Sequence, residues 1–400
     1  MSETPKKIML LGGLRYLIPV IDAAHRLGLH VITCDYLPDN IAHKYSDEYH
    51  NVSIIDKDAV LRLAQELRID GIMSFAVDPG VVTAAYVQQK MGLPGCPYES
   101  VRILQNKDLF RAFLREHGFN CPWSYGFGSV AEALAAADLY TYPAIVKPTD
   151  AAGSKGVSRV NSAAELAEAA EYAMQHSLSG RIIVEQFLEK VGCSSDSDSF
   201  SVEGKLAFVS FSAQRFDNDA PNPYTPSAFS WPSTMGEANE MLLSSELQRL
   251  IELLQLPTSV YNIETRVCTD GKPYIMEVSP RGGGNRLSEM LRHATGVDLI
   301  MNAVRAAVGL PVESVEQQPY NGHWAEVILH AEVDGIFERL EIVPELAENV
   351  VELDLWVRAG DTVHAFRGAN DAIGTLVLRF DSDAQLNKAL ANRAFICYTR

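Results

Sequence analysis

Apolar and polar positions along this chain follow two periods, and the switches between them divide it into segments. In residues 1 to about 100, short apolar runs give way to stretches with helical spacing, and the pattern then repeats. "KIMLLGG" reads as a strand, "LIPVIDAAHRLG" as a helix and "HVITCD" as a second strand. "AVLRLAQELRI" is again helical, "DGIMSFA" a strand and "VVTAAYVQQKMG" another helix. Such alternation predicts βαβ units, hence parallel strands joined by right-handed crossovers.

A helix is expected over about 107 to 117, with Asn106 as N-cap and Gly118 as its stop. "YPAIVKPTDAAGSKGVSRV" then reads as a strand, a loop of small residues and a returning strand. Ser162 and Glu165 form a capping-box pattern that opens an alanine-rich helix running to about 177. "GRIIVEQFLE" is the next strand, and "GCSSDSDSFS" reads as a turn entering a strand near Phe200. Residues 212 to 233, rich in Pro, Asn and aromatics, read as one long loop. After about 310 the chain becomes strand-rich, which predicts a small α+β closing domain.

Chemistry concentrates in residues 262 to 286, "NIETRVCTDGKPYIMEVSPRGGGNR". Asp270-Gly271 between β-rich runs predicts a hairpin with a two-residue turn. In that register Glu264 falls opposite Glu277, where Cα atoms of a non-hydrogen-bonded pair approach to about 4.5 Å. Alternation places Asn262, Glu264, Arg266, Ile275, Glu277 and Ser279 on one face. Ile263, Thr265, Val267, Tyr274, Met276 and Val278 form an opposite, core-like face. Like charges facing each other on a sheet repel, so a cation is expected between them. Mg²⁺ fits, because it takes one or two carboxylates together with phosphate oxygens and water. Two plainer arrangements compete: both acids in solvent, or Arg266 paired with one of them.

Composition narrows the classes. Four hundred residues with 47% apolar content fit two or three domains. A net charge of −17 argues against nucleic-acid or anionic-membrane partners, so any phosphate binding is local. Six scattered cysteines without CxxC spacing read as reduced thiols of a cytoplasmic protein. The opening apolar run is short and interrupted by Arg15, unlike a signal peptide, and no run is long enough to span a membrane.

The loop from Asp150 to Val157 carries Gly153, Ser154, Lys155 and Gly156, small residues whose N–H groups can approach an anion closely. It is not a Walker A loop. Lys147 closes the apolar strand "PAIVKP", a place where lysine needs a partner or a route to the surface.

Together these segments resemble the ATP-grasp superfamily of carboxylate–amine ligases. The resemblance rests on Lys107, "AIVKP" with Lys147, "AAGSKGV", "VEQFLE" with Glu185, "NIET" with Glu264, and "MEVSPRGGG" with Glu277 and Arg281. It implies a multidomain α/β and α+β architecture: an N-terminal βαβ parallel-sheet domain over 1–100, an ATP-grasp core over 101–310 with a mobile lid at about 123–185, and a C-terminal domain over 311–400. It also implies ATP and Mg²⁺ (or Mn²⁺) as cofactors. Lys107 and Lys147 would contact the phosphates, with Lys147 and Arg281 in catalytic roles, and the "AAGSKGV" loop would close as a lid. Glu185 would bind the adenine amino group with the backbone at Phe187 and Leu188, and Glu264 and Glu277 would hold the metal. Two departures stand out. Ser279 occupies a position where members often carry an asparagine, and its hydroxyl would contact Mg²⁺ or a phosphate in its place. Gly192 stands where an acid often follows the adenine-binding glutamate, so Glu189 or Asp196 would reach the ribose instead.

The implied activity is ATP-dependent activation of a small carboxylate as an acyl phosphate, followed by capture by an amine. Arg215, Tyr224 and Trp231 are candidate pocket residues, and Arg286 is a candidate partner for a substrate carboxylate. A related alternative activates formate or bicarbonate. A non-catalytic nucleotide-binding protein and a dinucleotide-dependent oxidoreductase are more distant, the latter because Gly12-Gly13-Leu14-Arg15 lacks the glycine fingerprint. A homodimer is the default assembly.

Overall fold

The computed structural model describes residues 5–151 and 155–400. Its first sheet is parallel, with the strand order Glu48–His50, His30–Cys34, Lys7–Leu11, Gly71–Ser74. The central strand is buried on both faces, Ile8 and Leu10 packing one way and Met9 and Leu11 the other. That explains why it reads as a continuous apolar run.

A second sheet, antiparallel, holds the strands Ser124–Phe127, Ile182–Gln186, Ala144–Pro148 and Ser158–Val160, in that order. The helices Val130–Ala135 and Leu166–Gln175 pack on it. Ala144, Val146, Ile182 and Val184 join those helices in a core of their own. The opposite face of these strands is therefore left for Lys147 and Glu185.

A third sheet runs Lys205–Phe208, Ser195–Val202, Ser259–Val267, Pro273–Ser279. The serine-rich stretch expected to be a turn is a central strand here. Its buried hydroxyls are satisfied sideways: Ser197 with Ser210, and Ser201 with Tyr261. Hydrogen bonding makes a polar strand compatible with burial.

The expected long loop at 212–233 also resolves into structure. Strands Ala213–Phe216 and Pro226–Trp231 pair antiparallel and continue into His323–His330, Ala372–Phe380 and Val350–Leu355. This five-stranded sheet thus takes strands from both sides of residue 310. No helix among the described residues is long and apolar enough to cross a membrane.

Candidate active site

The hairpin places its two acids as expected, by a different route. Glu264 is paired with Glu277, but the turn is longer than two residues. Cys268 N–H donates to Lys272 O and Gly271 N–H to Cys268 O, leaving a three-residue loop with Gly271 at φ 76°. Such loops carry a left-handed residue at the last position. The resulting one-residue slip is absorbed between Glu264 and Thr265, where Met276 is the extra residue. Beyond it Ile275 pairs with Thr265 and joins the core, whereas Met276 packs with Leu188 and Tyr274. The assignment of Ile275 to the carboxylate face was therefore wrong, because the bulge exchanges the two faces.

Each acid already has a cation. Arg266 Nη2 lies 2.7 Å from Glu264, and Lys107 Nζ lies 3.6 Å from Glu277. Lys107 opens the helix Lys107–Glu116 and also donates to Ala151 O at 3.0 Å, tying the carboxylate pair to the start of the small-residue loop. Asn106 stands at the N-cap without a side-chain bond to the helix. Asp196 is paired with Glu264 from the neighbouring strand, so three carboxylates form a row across the sheet. Burial, and then the charge of Glu264, push Asp196 up to about 7.

Glu264 and Glu277 are partly exposed and offer hard oxygen donors to a divalent cation. No group of three or more metal-ligating side chains suited to hold an ion alone occurs among the described residues. Mg²⁺ would complete its shell there with phosphate oxygens and water. Ser279 does not fit the metal role given to it. It is buried, and its hydroxyl accepts from Gln105 at 2.8 Å and donates to Asp78 at 3.3 Å.

Glu185 is also placed differently from expectation. It is 2% exposed, with one oxygen on Arg111 Nε at 3.0 Å and the other on Lys147. Burial opposes ionisation there, but Arg111 and Lys147 outweigh it and hold the carboxyl at about 2. Each oxygen already meets one cation, so an adenine amino group would share an oxygen with Arg111 or Lys147. Gln186, on the alternate face of the strand, is exposed. Phe187 N–H donates to Pro143 O, its ring carries Arg159 at 4.3 Å, and Leu188 is buried. Glu189 is exposed, and its carbonyl accepts from Thr269 N–H.

Arg281 is buried and directed at Asp78 across the boundary with the parallel-sheet segment, with Nε at 2.8 Å and Nη2 at 2.6 Å from the same oxygen. Gly283 N–H and Ser288 hydroxyl both donate to Asp198, which fixes the glycine loop. Lys155 is exposed, and Gly156 has φ 71°. Gly153 and Ser154 lie outside the described residues.

Three substrate-side expectations are corrected. Trp231 is a core residue, fully buried, with its indole N–H on Ser197. Arg215 sits in a strand and donates to Asn387 at 2.6 Å, so it braces the C-terminal helix Asp383–Leu390. Arg286 is already shared by Glu289 at 3.2 Å, Glu352 at 2.8 Å and Thr375 at 3.0 Å, so a substrate carboxylate would compete with these internal partners for it. Tyr224 is exposed between the strands Ala213–Phe216 and Pro226–Trp231.

Arg111, Asp78, Asp198 and Gln105 were missed. Arg111 stands one helical turn beyond Lys107, and the alternating "SDSDS" places Asp196 and Asp198 on one strand face, so both signals were present in sequence. The contacts of Asp78 and Gln105 with Arg281 and Ser279 span 203 and 174 residues and carry no local signature.

Comparison with known proteins bears on this arrangement. Residues 104–285 match the family model described as an ATP-grasp domain. The chain is 26% identical over 370 residues to the uncharacterized protein y4rH of Sinorhizobium fredii, covering 89% of this chain and 75% of that one. It is 28% identical over 333 residues to a formate-dependent phosphoribosylglycinamide formyltransferase of Synechococcus, covering 79% of each. In fold it is similar to an L-amino acid ligase from Bacillus licheniformis, with TM-score 0.81, 20% identity and all of both chains covered. Residues 104–285 match an ATP-grasp domain, set in a chain whose whole fold is similar to that of the L-amino acid ligase.

Proposed function

We propose that the chain is an ATP- and Mg²⁺-dependent ligase that activates a small-molecule carboxylate as an acyl phosphate, releases ADP and joins the acyl group to an amine. The observation that carries this reading is the direct opposition of Glu264 and Glu277 with Lys107 on the second. An apposed, partly exposed acid pair bordered by Arg266 and Lys107 suits a metal–triphosphate complex. The metal supplies charge neutralisation on the transferring phosphoryl group.

The protein's own groups do the rest. Glu264 and Glu277 hold the metal, and Lys107 turns from Glu277 and Ala151 O towards phosphate. Lys147, on the face opposite the second sheet's core, contributes a second positive charge, and Arg111 with Glu185 positions it. The backbone through Leu188 meets the base. Arg281 neutralises charge developing on the acyl phosphate, and Asp78 and Ser279 orient it. The loop from Asp150 to Val157 covers the phosphates and excludes water from the intermediate.

The test is calorimetric titration with ATP, with and without Mg²⁺, followed by ADP release from pairs of acids and amines. ATP binding tightened by Mg²⁺, with ADP release only when acid and amine are both present, is the expected result. The similarity to the formyltransferase favours a second reading, in which formate or bicarbonate is activated and a ribonucleotide amine accepts. ADP release with those substrates and with no other pair would select it. Failure to bind ATP would end both.

A further inference from the structure

Glu326 lies at the centre of the strand His323–His330, between Phe229 and Val377 of its two neighbours. It is fully buried, and neither carboxylate oxygen meets a hydrogen-bond partner among the described residues. Strand alternation settles its direction. Trp324 and Ile328 on the same face join the core that includes Leu287 and Met290, whereas Ala325 and Val327 face the opposite core. Glu326 thus points at the helix Leu287–Thr295 and the residues that precede it.

Those residues form a charged cluster. Arg286 is shared by Glu289 at 3.2 Å and Glu352 at 2.8 Å, and Tyr16 hydroxyl donates to Asn285 at 3.2 Å. Three carboxylates therefore surround one guanidinium. Two of them are paired with it, and the third, Glu326, is not. Burial, with Glu289 and Glu352 adding to it against Arg286, pushes the Glu326 carboxyl well above its ordinary range. An unpaired buried carboxylate costs several kcal/mol, and a core position would be better filled by a hydrocarbon. Held neutral in this way, the carboxyl keeps open hydrogen-bonding positions and ionises only when a cation is brought to it.

The charge and the donors identify that cation. Arg286 lies among the acids and repels a divalent ion more strongly than a monovalent one. An ammonium brings one positive charge and three N–H donors, which match the open oxygens of Glu326. We infer that Glu326, bordered by Glu289 and Tyr16, binds the ammonium group of a small primary amine. The position suits an acceptor: Arg281 and Arg286 bound one glycine loop, and Gly282 O receives Ala76 N–H at 3.0 Å on the side that carries Asp78. That this ammonium is the acceptor rests on the ligase reading, but its binding at Glu326 does not.

The experiment measures binding without turnover. Primary alkylamines and amino-acid amides are titrated against the full chain by calorimetry and thermal shift, with the N-acetylated counterparts and MgCl₂ alone as controls. At least one free amine should bind and raise the unfolding midpoint, while its N-acetyl form does not. Glu326→Gln should weaken that amine by about tenfold or more, as loss of a charge-assisted contact requires. Glu326→Leu should fold, with an unchanged or higher midpoint, and also lose the amine. Equal binding to wild type and both variants would overturn the inference. So would a response to MgCl₂ alone that Glu326→Gln abolishes, or MgATP binding with no amine binding. Amine binding that depends on Glu326 without ATP binding would keep the ammonium site and remove the ligase reading.

Discussion

Arg111 Nε lies 3.0 Å from Glu185, in a buried trio that Lys147 completes from the neighbouring strand. The guanidinium also donates to Met276 O at 2.8 Å, the bulged residue beside Glu277. One side chain thus joins the helix of Lys107, the strand of Glu185 and the acidic hairpin. Removing one member of a buried ion group strands its partners. Arg111→Met should lower stability by about 3–5 kcal/mol, read from urea midpoints. A loss under about 1 kcal/mol would show that the trio does not hold these elements together.

The same trio sets an acid limb. Glu185 is held at about 2 against an ordinary 4.5, so the native state binds fewer protons than the unfolded state between those values. Its contribution is complete above 4.5 and fades as pH falls towards 2. Urea midpoints of the wild type should fall on acidification through this window, and Glu185→Gln should flatten that dependence. Parallel slopes would assign the acid limb to other carboxylates.

The sequence carried the parallel βαβ segment, the strand-rich tail and the opposition of Glu264 and Glu277, because each rests on short-range periodicity. Two failures have separate physical sources. Cys268 and Lys272 close a three-residue turn, and the bulge at Met276 restores the register, so the acid pair survived an error that moved Ile275. Ser195–Val202 hid its strand because its burial is satisfied by hydroxyl pairs rather than apolar contact. Long-range partners such as Asp78 and Gln105 leave no pattern to read.

Gly156 adopts φ 71°, and a Cβ there would lie 2.8 Å from both Pro148 and His176. Gly156→Ala therefore meets both a backbone and a contact penalty. It should cost more than about 1 kcal/mol and raise the Michaelis constant for ATP more than it lowers turnover. An unchanged urea midpoint would mean that the loop relaxes without cost.

Asp78 holds Arg281 at 2.6 Å and accepts from Ser279 at 3.3 Å, bringing the parallel-sheet segment into the site. Asp78→Asn keeps the shape and removes the charge that orients the guanidinium. Turnover should fall about tenfold to a hundredfold with ATP affinity within a few fold of wild type. Arg281→Ala should do the same more severely. A change confined to the Michaelis constant in both variants would move Arg281 out of the transition state and into ground-state binding.

Glu277 is the sharpest test of the metal assignment, because its surroundings separate chemistry from folding. It is partly exposed and its cation, Lys107, stands at 3.6 Å, so the pair contributes little to stability. Glu277→Gln preserves volume and the strand pairing to Glu264, and it lessens the repulsion between the two. The urea midpoint should be unchanged or higher. ADP formation should nevertheless fall by at least about a hundredfold, since a neutral amide is a poor ligand for a hard cation and phosphoryl transfer depends on charge at that point. Raising Mg²⁺ should restore little of it. Full activity with intact folding would show that the opposed acids serve the sheet, with Arg266 and Lys107 as their only partners, and not a metal.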